Sequence, residues 1–294
     1  MILNVSSRTD IVAFYTEWFL NRYKEGFVDV RNPFYPSLVS RIYFCDVDLI
    51  LFCTKNPLPI LNKIKLIDKP IIFHVTLTPY KNDIEPNVPS KKEIIQAIKK
   101  LSTIIGSDHI VVRYDPVFIS PTYSLSYHIK AFDKLCTLLN GYVHKIIISF
   151  IDDYKNVRKN QSTLHILPFT EEIYQQIGIH FSQSAKRNHM HVQTCFEQKN
   201  LVEYGFLKDD CLSCKLAFQL TGKLFSEQTS RKNGTCHCAK MVDIGAYNTC
   251  LHLCKYCYAN YDEKKVRSYH AQHDPNSTLL IGHLHSDDII KERH

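Results

Sequence analysis

The sequence predicts an α/β fold built as a (βα) barrel, and three observations carry that expectation. Short β-branched runs alternate with helical patterns through the first two-thirds of the chain. Most of those runs are apolar at every position, as strands must be in a parallel sheet covered by helices. Six such units follow one another, which suits a barrel better than an open sheet.

The predicted strands are residues 2–6 (ILNVS), 48–54 (DLILFCT), 71–77 (IIFHVTL), 110–114 (IVVRY), 145–150 (KIIISF) and 191–195 (HVQTC). Helical patterns lie between them, for example at 11–23, 91–105, 124–139 and 170–187. These units make up 1–198. A turn-rich, cysteine-bearing insertion occupies 199–240, and 241–294 adds one more strand (241–247, MVDIGAY), a cysteine loop and a tail. The three parts read as one integrated domain, with linkers at 82–90 and 227–235. In the tail, 279–293 suggests a short strand and a helix.

The segments that close the strands are polar and specific: SSRTD (6–10), TKNP (54–57), TLTPY (76–80), RYDP (113–116), SFIDD (149–153) and QTCFE (193–197). In barrels the C-terminal strand ends and the loops after them build the active site. Arg113 and Asp115 share a strand face with Val111 by the two-residue period. They read equally as cleft residues and as a structural ion pair.

Composition narrows the class. The 294 residues are 45% hydrophobic and 22% charged, ordinary for a folded soluble protein. No apolar run is long enough to span a membrane. The first residues, MILNVSSRTD, are not those of a secretory signal, so a cytoplasmic protein is expected. A net charge of +7, spread along the chain, permits a nucleic-acid partner but is explained as well by a solvated lysine-rich surface. With nine glycines and no GxxxxGK or GxGxxG, phosphate-cradling loops are not expected. No HExxH pattern is present among the fifteen histidines, and His74, inside an apolar strand, reads as a satisfied core histidine.

Eleven cysteines in a reducing compartment point to metal or catalytic use rather than disulfides. Cys45, Cys53 and Cys136 are scattered in apolar surroundings and read as core thiols. The other eight fall between Cys195 and Cys257. Three of them, Cys250, Cys254 and Cys257, lie within eight positions in NTCLHLCKYCYANY and have no fourth nearby. A structural zinc site takes four ligands, whereas a catalytic metal site keeps a position open. Three thiolates cap three corners of a 4Fe-4S cube and leave one iron without a protein ligand.

The spacing Cys250-x-x-x-Cys254-x-x-Cys257, with Tyr256 before the last cysteine, resembles the signature of the radical S-adenosylmethionine superfamily. The resemblance implies an open-iron 4Fe-4S cluster, S-adenosylmethionine on the free iron, and a deoxyadenosyl radical that takes hydrogen from a substrate. It also implies an electron donor such as flavodoxin or ferredoxin. In that superfamily the signature follows the first barrel strand; here it follows the last, which implies a circular permutation. The methionine-binding role of the superfamily's second strand would then fall to Ser6, Ser7, Arg8 or Asp10, with Tyr256 beside the cofactor. Arg8, Asp10, Lys55, Arg113 and Asp115 would line the mouth, the cations facing the cofactor carboxylate.

Nearly the whole chain resembles a bacterial and archaeal family of unknown function with similar C-terminal cysteines, through SSRTDIVAFYTEWFLNR, VRNPF, TKNP, TLTPY, DIEPNVP, VRYDPVF, CHC and VDIGAYNTCLHLCKYCYAN. That resemblance favours Cys195, Cys211, Cys236 and Cys238 as a second ligand set, with Cys214 spare. The C-x-C pair is unusual for a zinc ribbon, so a second 4Fe-4S cluster is preferred to zinc. The competing reading is a zinc- or cluster-stabilised nucleic-acid-binding module without radical chemistry. CKYCY also resembles the spore photoproduct lyases, which would unite cluster and nucleic acid. The substrate is unknown.

Overall fold

The computed structural model describes residues 1–195, 197, 199–228 and 237–294. In chain order the strands are β1 (Ile2–Val5), β2 (Phe27–Arg31), β3 (Leu38–Tyr43), β4 (Leu49–Thr54), β5 (Ile71–Thr76), β6 (Ile110–Val117), β7 (Lys145–Phe150), β8 (His191–Thr194), β9 (Met241–Asp243) and β10 (Ile289–Arg293). The helices are α1 (Ile11–Phe14), α2 (Thr16–Glu25), α3 (Lys91–Ile105), α4 (Leu125–Leu139), α5 (Lys155–Lys159), α6 (Gln161–Leu164), α7 (Glu171–Arg187), α8 (Cys214–Thr221) and α9 (Glu263–Ala271).

Seven strands form one parallel sheet in the order β8-β7-β6-β5-β4-β1-β9. Each of the six strands expected in the first two-thirds lies beside the next of the six. The last strand, β9, pairs with the first, Ile2 standing opposite Met241. The outer strands β8 and β9 are not paired with each other among the described residues.

Alternation of side chains divides the apolar strands between two cores. Leu3, Val5, Phe52, Phe73, Val112 and Ile148 belong to the larger core on the helical side, where α3, α4 and α7 pack. Helix α3 shows why: Ile94, Ala97, Ile98 and Leu101 make one buried stripe, and Ser90 with Glu93 closes a capping box at its start. On the other face Ile2, Leu51, Ile72 and Val111 pack against Leu212, Ala217 and Ala239. The cysteine-bearing segment thus covers the face that the helices leave bare.

A second sheet, in the order β10-β3-β2, was not expected from the sequence. Strand β10 is exposed at every residue, so strand pairing rather than burial forms it. The tail adds this strand but no helix between 279 and 293; its helix, α9, lies earlier. Among the described residues no helix is long and apolar enough to cross a membrane.

Candidate metal centre

After β9 the chain runs across the C-terminal end of the parallel sheet and carries Cys250, Cys254 and Cys257 with it. The loop is tied to itself first. Asn248 N–H donates to the Ala259 carbonyl at 2.9 Å, and Asn260 Nδ2 to the Cys250 carbonyl at 2.6 Å. Loops from other strand ends then hold it. After β5, Asn87 Nδ2 donates to the Leu251 carbonyl at 2.7 Å. After β7, Asn156 Nδ2 reaches the Cys257 carbonyl at 2.9 Å, and Asn160 Nδ2 the Lys255 carbonyl at 2.6 Å. After β1, the Ser7 carbonyl accepts from Tyr258 Oη. Backbone carbonyls held this way fix the path of the loop whatever its thiols bind.

Cys250 and Cys254 are buried and Cys257 is partly so. Burial pushes all three thiols up. Asp10 and the other two thiols push Cys250 further, while Lys55 draws Cys254 and Cys257 back down. Among the described residues no three His, Cys, Asp or Glu side chains stand together as a ready-made metal cage. What fits a cluster is the donor set: three neighbouring thiols, no fourth, and a water-poor setting that favours bound over free thiolate.

Two buried carboxylates position this loop, and one of them is a residue the sequence reading passed over. Asp10 caps α1 through Ala13 N–H at 2.9 Å and accepts from Lys55 N–H at 2.7 Å and from His252 Nε2 at 2.9 Å. Asp10 is thereby a structural hub between β1, β4 and the cysteine loop, not a free cleft residue. Glu85, 1% exposed, accepts from Lys55 Nζ at 2.9 Å, Thr78 Oγ1 at 2.6 Å, Lys91 Nζ and Tyr256 Oη. Burial alone would push its carboxyl up, but Lys55 and Lys91 outweigh that and hold it at about 2. Lys55 Nζ also lies over the Tyr256 ring at 5.4 Å. A glutamate set between an isoleucine and a proline in DIEPNVP was the available sign of Glu85; His252 was marked only by standing between two cysteines.

The residues after β1 are likewise engaged. Asp243, at the end of β9, accepts from Ser6 Oγ at 2.8 Å, Ser7 N–H at 2.6 Å, Arg8 Nε at 3.0 Å and Gly245 N–H at 2.7 Å. Arg8 therefore faces Asp243, and its second nitrogen the Asp243 carbonyl at 2.7 Å, rather than open space. Gly245 makes this possible: a Cβ there would stand 1.9 Å from Ser6 Oγ.

On the face away from the helices lies the second cysteine set. Cys195 and Cys211 bring their sulfurs to 2.7 Å, and Cys211 also meets Cys238. Cys236 lies outside the described residues. Cys214 opens α8. Arg113 pairs with Asp115 at 2.7 Å and turns its third nitrogen to Cys211 Sγ at 3.5 Å. Burial works against the guanidinium charge, yet Cys195, Asp115 and Cys211 hold it well above the usual range. Arg113 thus contacts this set, while Asp115 also lies within electrostatic reach of Lys55 and Tyr258 at the triple-cysteine loop.

One titratable group at the strand ends remains partly open. Glu197 accepts from Ser149 Oγ at 2.7 Å and Phe150 N–H at 2.8 Å, both on one oxygen. Burial, with Asp152 and Asp115 nearby, pushes its carboxyl up to about 7. It can exchange a proton near neutrality.

The family described as a domain of unknown function (DUF1848) matches residues 2–259. The chain belongs to the DUF1848 family. The match takes in the whole seven-stranded sheet and all three loop cysteines, so loop and sheet are parts of one DUF1848 unit. Searches of curated proteins and of solved structures returned no significant match.

Proposed function

We propose that this DUF1848 chain is an iron–sulfur enzyme of the radical S-adenosylmethionine type, built on a circularly permuted partial barrel. The observation that carries the reading is the place of the three thiols. Cys250, Cys254 and Cys257 follow the strand that pairs with β1 and cross the C-terminal end of the parallel sheet, the end at which such folds bind ligands. When bound, a cluster held by these three thiolates supplies an iron open to the amine and carboxylate of S-adenosylmethionine and an electron for reductive cleavage of its sulfonium.

The chain's own residues do the positioning. Asp10, through His252, and Asn87 hold the loop between Cys250 and Cys254. Tyr256 and Lys55 close the Cys254 side over Glu85. Glu197 can hold or release a proton on the oxygen left free by Ser149 and Phe150. The substrate side then lies toward β6–β8, because Arg8 and Lys55 on the opposite side are already neutralised by Asp243 and Glu85. An electron donor of the flavodoxin or ferredoxin class belongs to the same reading.

The test is the electron paramagnetic resonance spectrum of protein purified without oxygen and reduced, with and without S-adenosylmethionine. A cluster signal that changes on adding the cofactor, and is lost in Cys254→Ala, is the expected result. A signal indifferent to the cofactor overturns the radical reading. Zinc without iron overturns the cluster itself and favours the nucleic-acid-binding alternative.

A further inference from the structure

The proposed function gives no task to the thiols on the face away from the helices. Two of them stand unusually close. Cys195 Sγ and Cys211 Sγ are 2.7 Å apart, although sixteen positions separate them in the chain. Heavy atoms in plain contact settle about 3.5–4.0 Å apart, and a sulfur–sulfur bond is about 2.05 Å long. The pair lies between the two. Two thiolates on one zinc ion, each about 2.3 Å from it, would stand roughly 3.8 Å apart, so this spacing suits a bond between the sulfurs better than a shared ion.

The backbone on both sides is fixed without help from the thiols. Cys195 N–H donates to the Ile148 carbonyl at 3.0 Å, which holds Cys195 at the end of β8. Just before Cys211, Gln193 Nε2 donates to the Asp209 carbonyl at 2.8 Å, and Lys145 Nζ reaches the Asp209 carboxylate at 2.8 Å and the Asp210 carbonyl at 3.1 Å. Just after it, Ala239 N–H donates to the Leu212 carbonyl at 2.8 Å, and Leu212 is buried against the sheet. The two sulfurs therefore meet because the fold brings them together. Arg113 turns a nitrogen to Cys211 Sγ at 3.5 Å and hydrogen-bonds Cys195 as well.

Both thiols are half-buried, so a small oxidant reaches them more readily than a protein does. We propose that Cys195 and Cys211 form a reversible disulfide by exchange with a low-molecular-weight disulfide of the glutathione class. One cysteine gives its proton to water, and its thiolate attacks a sulfur of the small disulfide. A mixed disulfide forms and one small thiolate leaves. The second cysteine loses its proton likewise and attacks the mixed disulfide, which makes the internal S–S bond and expels the second small thiolate. The two cysteines give up two electrons, and the small disulfide takes them up as two thiols. The bond ties the end of β8, two residues before Glu197, to the segment that covers the open face of the sheet. The inference is independent of the radical reading, because neither the triple-cysteine loop nor S-adenosylmethionine takes part.

The experiment uses the full chain purified without oxygen and equilibrated in buffers of graded oxidised-to-reduced glutathione ratio. Free thiols are alkylated at low pH, and the tryptic peptides are mapped by mass spectrometry. Cys214→Ser is the background, since Cys214 shares a tryptic peptide with Cys211. The expected result is loss of alkylation at Cys195 and Cys211 together, with their peptides joined, and full recovery with dithiothreitol. Cys195→Ser and Cys211→Ser should each lose the link and leave glutathione on the remaining thiol, whereas Cys238→Ser should keep it. Thiols that stay free at every ratio overturn the proposal. So do glutathione adducts without an internal bond in the background protein, or a bond from Cys211 to Cys238 instead. An ion or cluster that shields both thiols from alkylation until it is removed overturns it as well.

Discussion

Asp10 Oδ2 lies 2.9 Å from His252 Nε2, with both side chains almost wholly buried. This contact joins the end of the first strand to a loop more than two hundred residues later, between Cys250 and Cys254. A pair buried this deeply is worth little relative to an apolar replacement, but removing one member strands the other.

His252→Ala should therefore destabilise the fold by about 3 kcal/mol, because Asp10 stays buried and loses one of its three donors. Asp10→Ala should cost at least as much, since the α1 cap goes with it. The double variant should fall short of the sum by about 1–3 kcal/mol. Urea unfolding of the four proteins measures this, and strict additivity would refute the coupling.

Glu85 predicts an acid limb of the stability curve. Its carboxyl ionises at about 2 in the folded chain, against an ordinary value of 4.5. A depressed folded value means stability that is present above about 4.5 and drains away as pH falls toward 2. Wild type should lose about 3 kcal/mol from this group across that window, and Glu85→Gln should show a flatter profile. Equal slopes for the two proteins would contradict the assignment.

Glu197 predicts the opposite sign. Its folded value of about 7 lies above the ordinary 4.5, so the folded chain binds the extra proton between those limits. Stability should fall as pH rises from 4.5 to 7 on its account. Glu197→Gln keeps an oxygen for Ser149 and Phe150 and should stabilise the protein at pH 8 by roughly 1–2 kcal/mol after allowance for partial exposure, with little effect near pH 4. Chemical denaturation at the two pH values decides it.

Gly245→Ala tests the junction of β1 and β9. The new Cβ would stand 1.9 Å from Ser6 Oγ and 2.8 Å from Ser6 Cβ, so Ser6 has to leave Asp243. Loss of about 1–3 kcal/mol is expected from the forced shift. A melting temperature equal to that of wild type would mean the two strand ends are looser than described.

The fold was legible where burial on both faces leaves its mark in composition. The β-branched runs of β4, β5 and β7 could be read directly, since a central parallel strand has no polar side. Strand β10 could be placed only loosely, as a short strand somewhere in 279–293, because every residue of it is exposed and pairing with β3 makes it a strand. At the site, the spacing of Cys250, Cys254 and Cys257 is a local pattern and was visible as such. The roles of Arg8 and Lys55 were not, because their partners Asp243 and Glu85 lie far away in sequence or in a linker.

The sequence by itself determined that the chain is a repeating α/β protein with three clustered thiols after its last parallel strand. Those are properties of neighbours, set by the alternation of side chains and the spacing of a loop. Only the tertiary structure decided that β9 lies against β1, that Asp10 meets His252, and that Glu85 gathers Lys55, Lys91 and Tyr256. Each of those joins residues from separate units of the fold, and such contacts exist only once the sheet has brought the strand ends together.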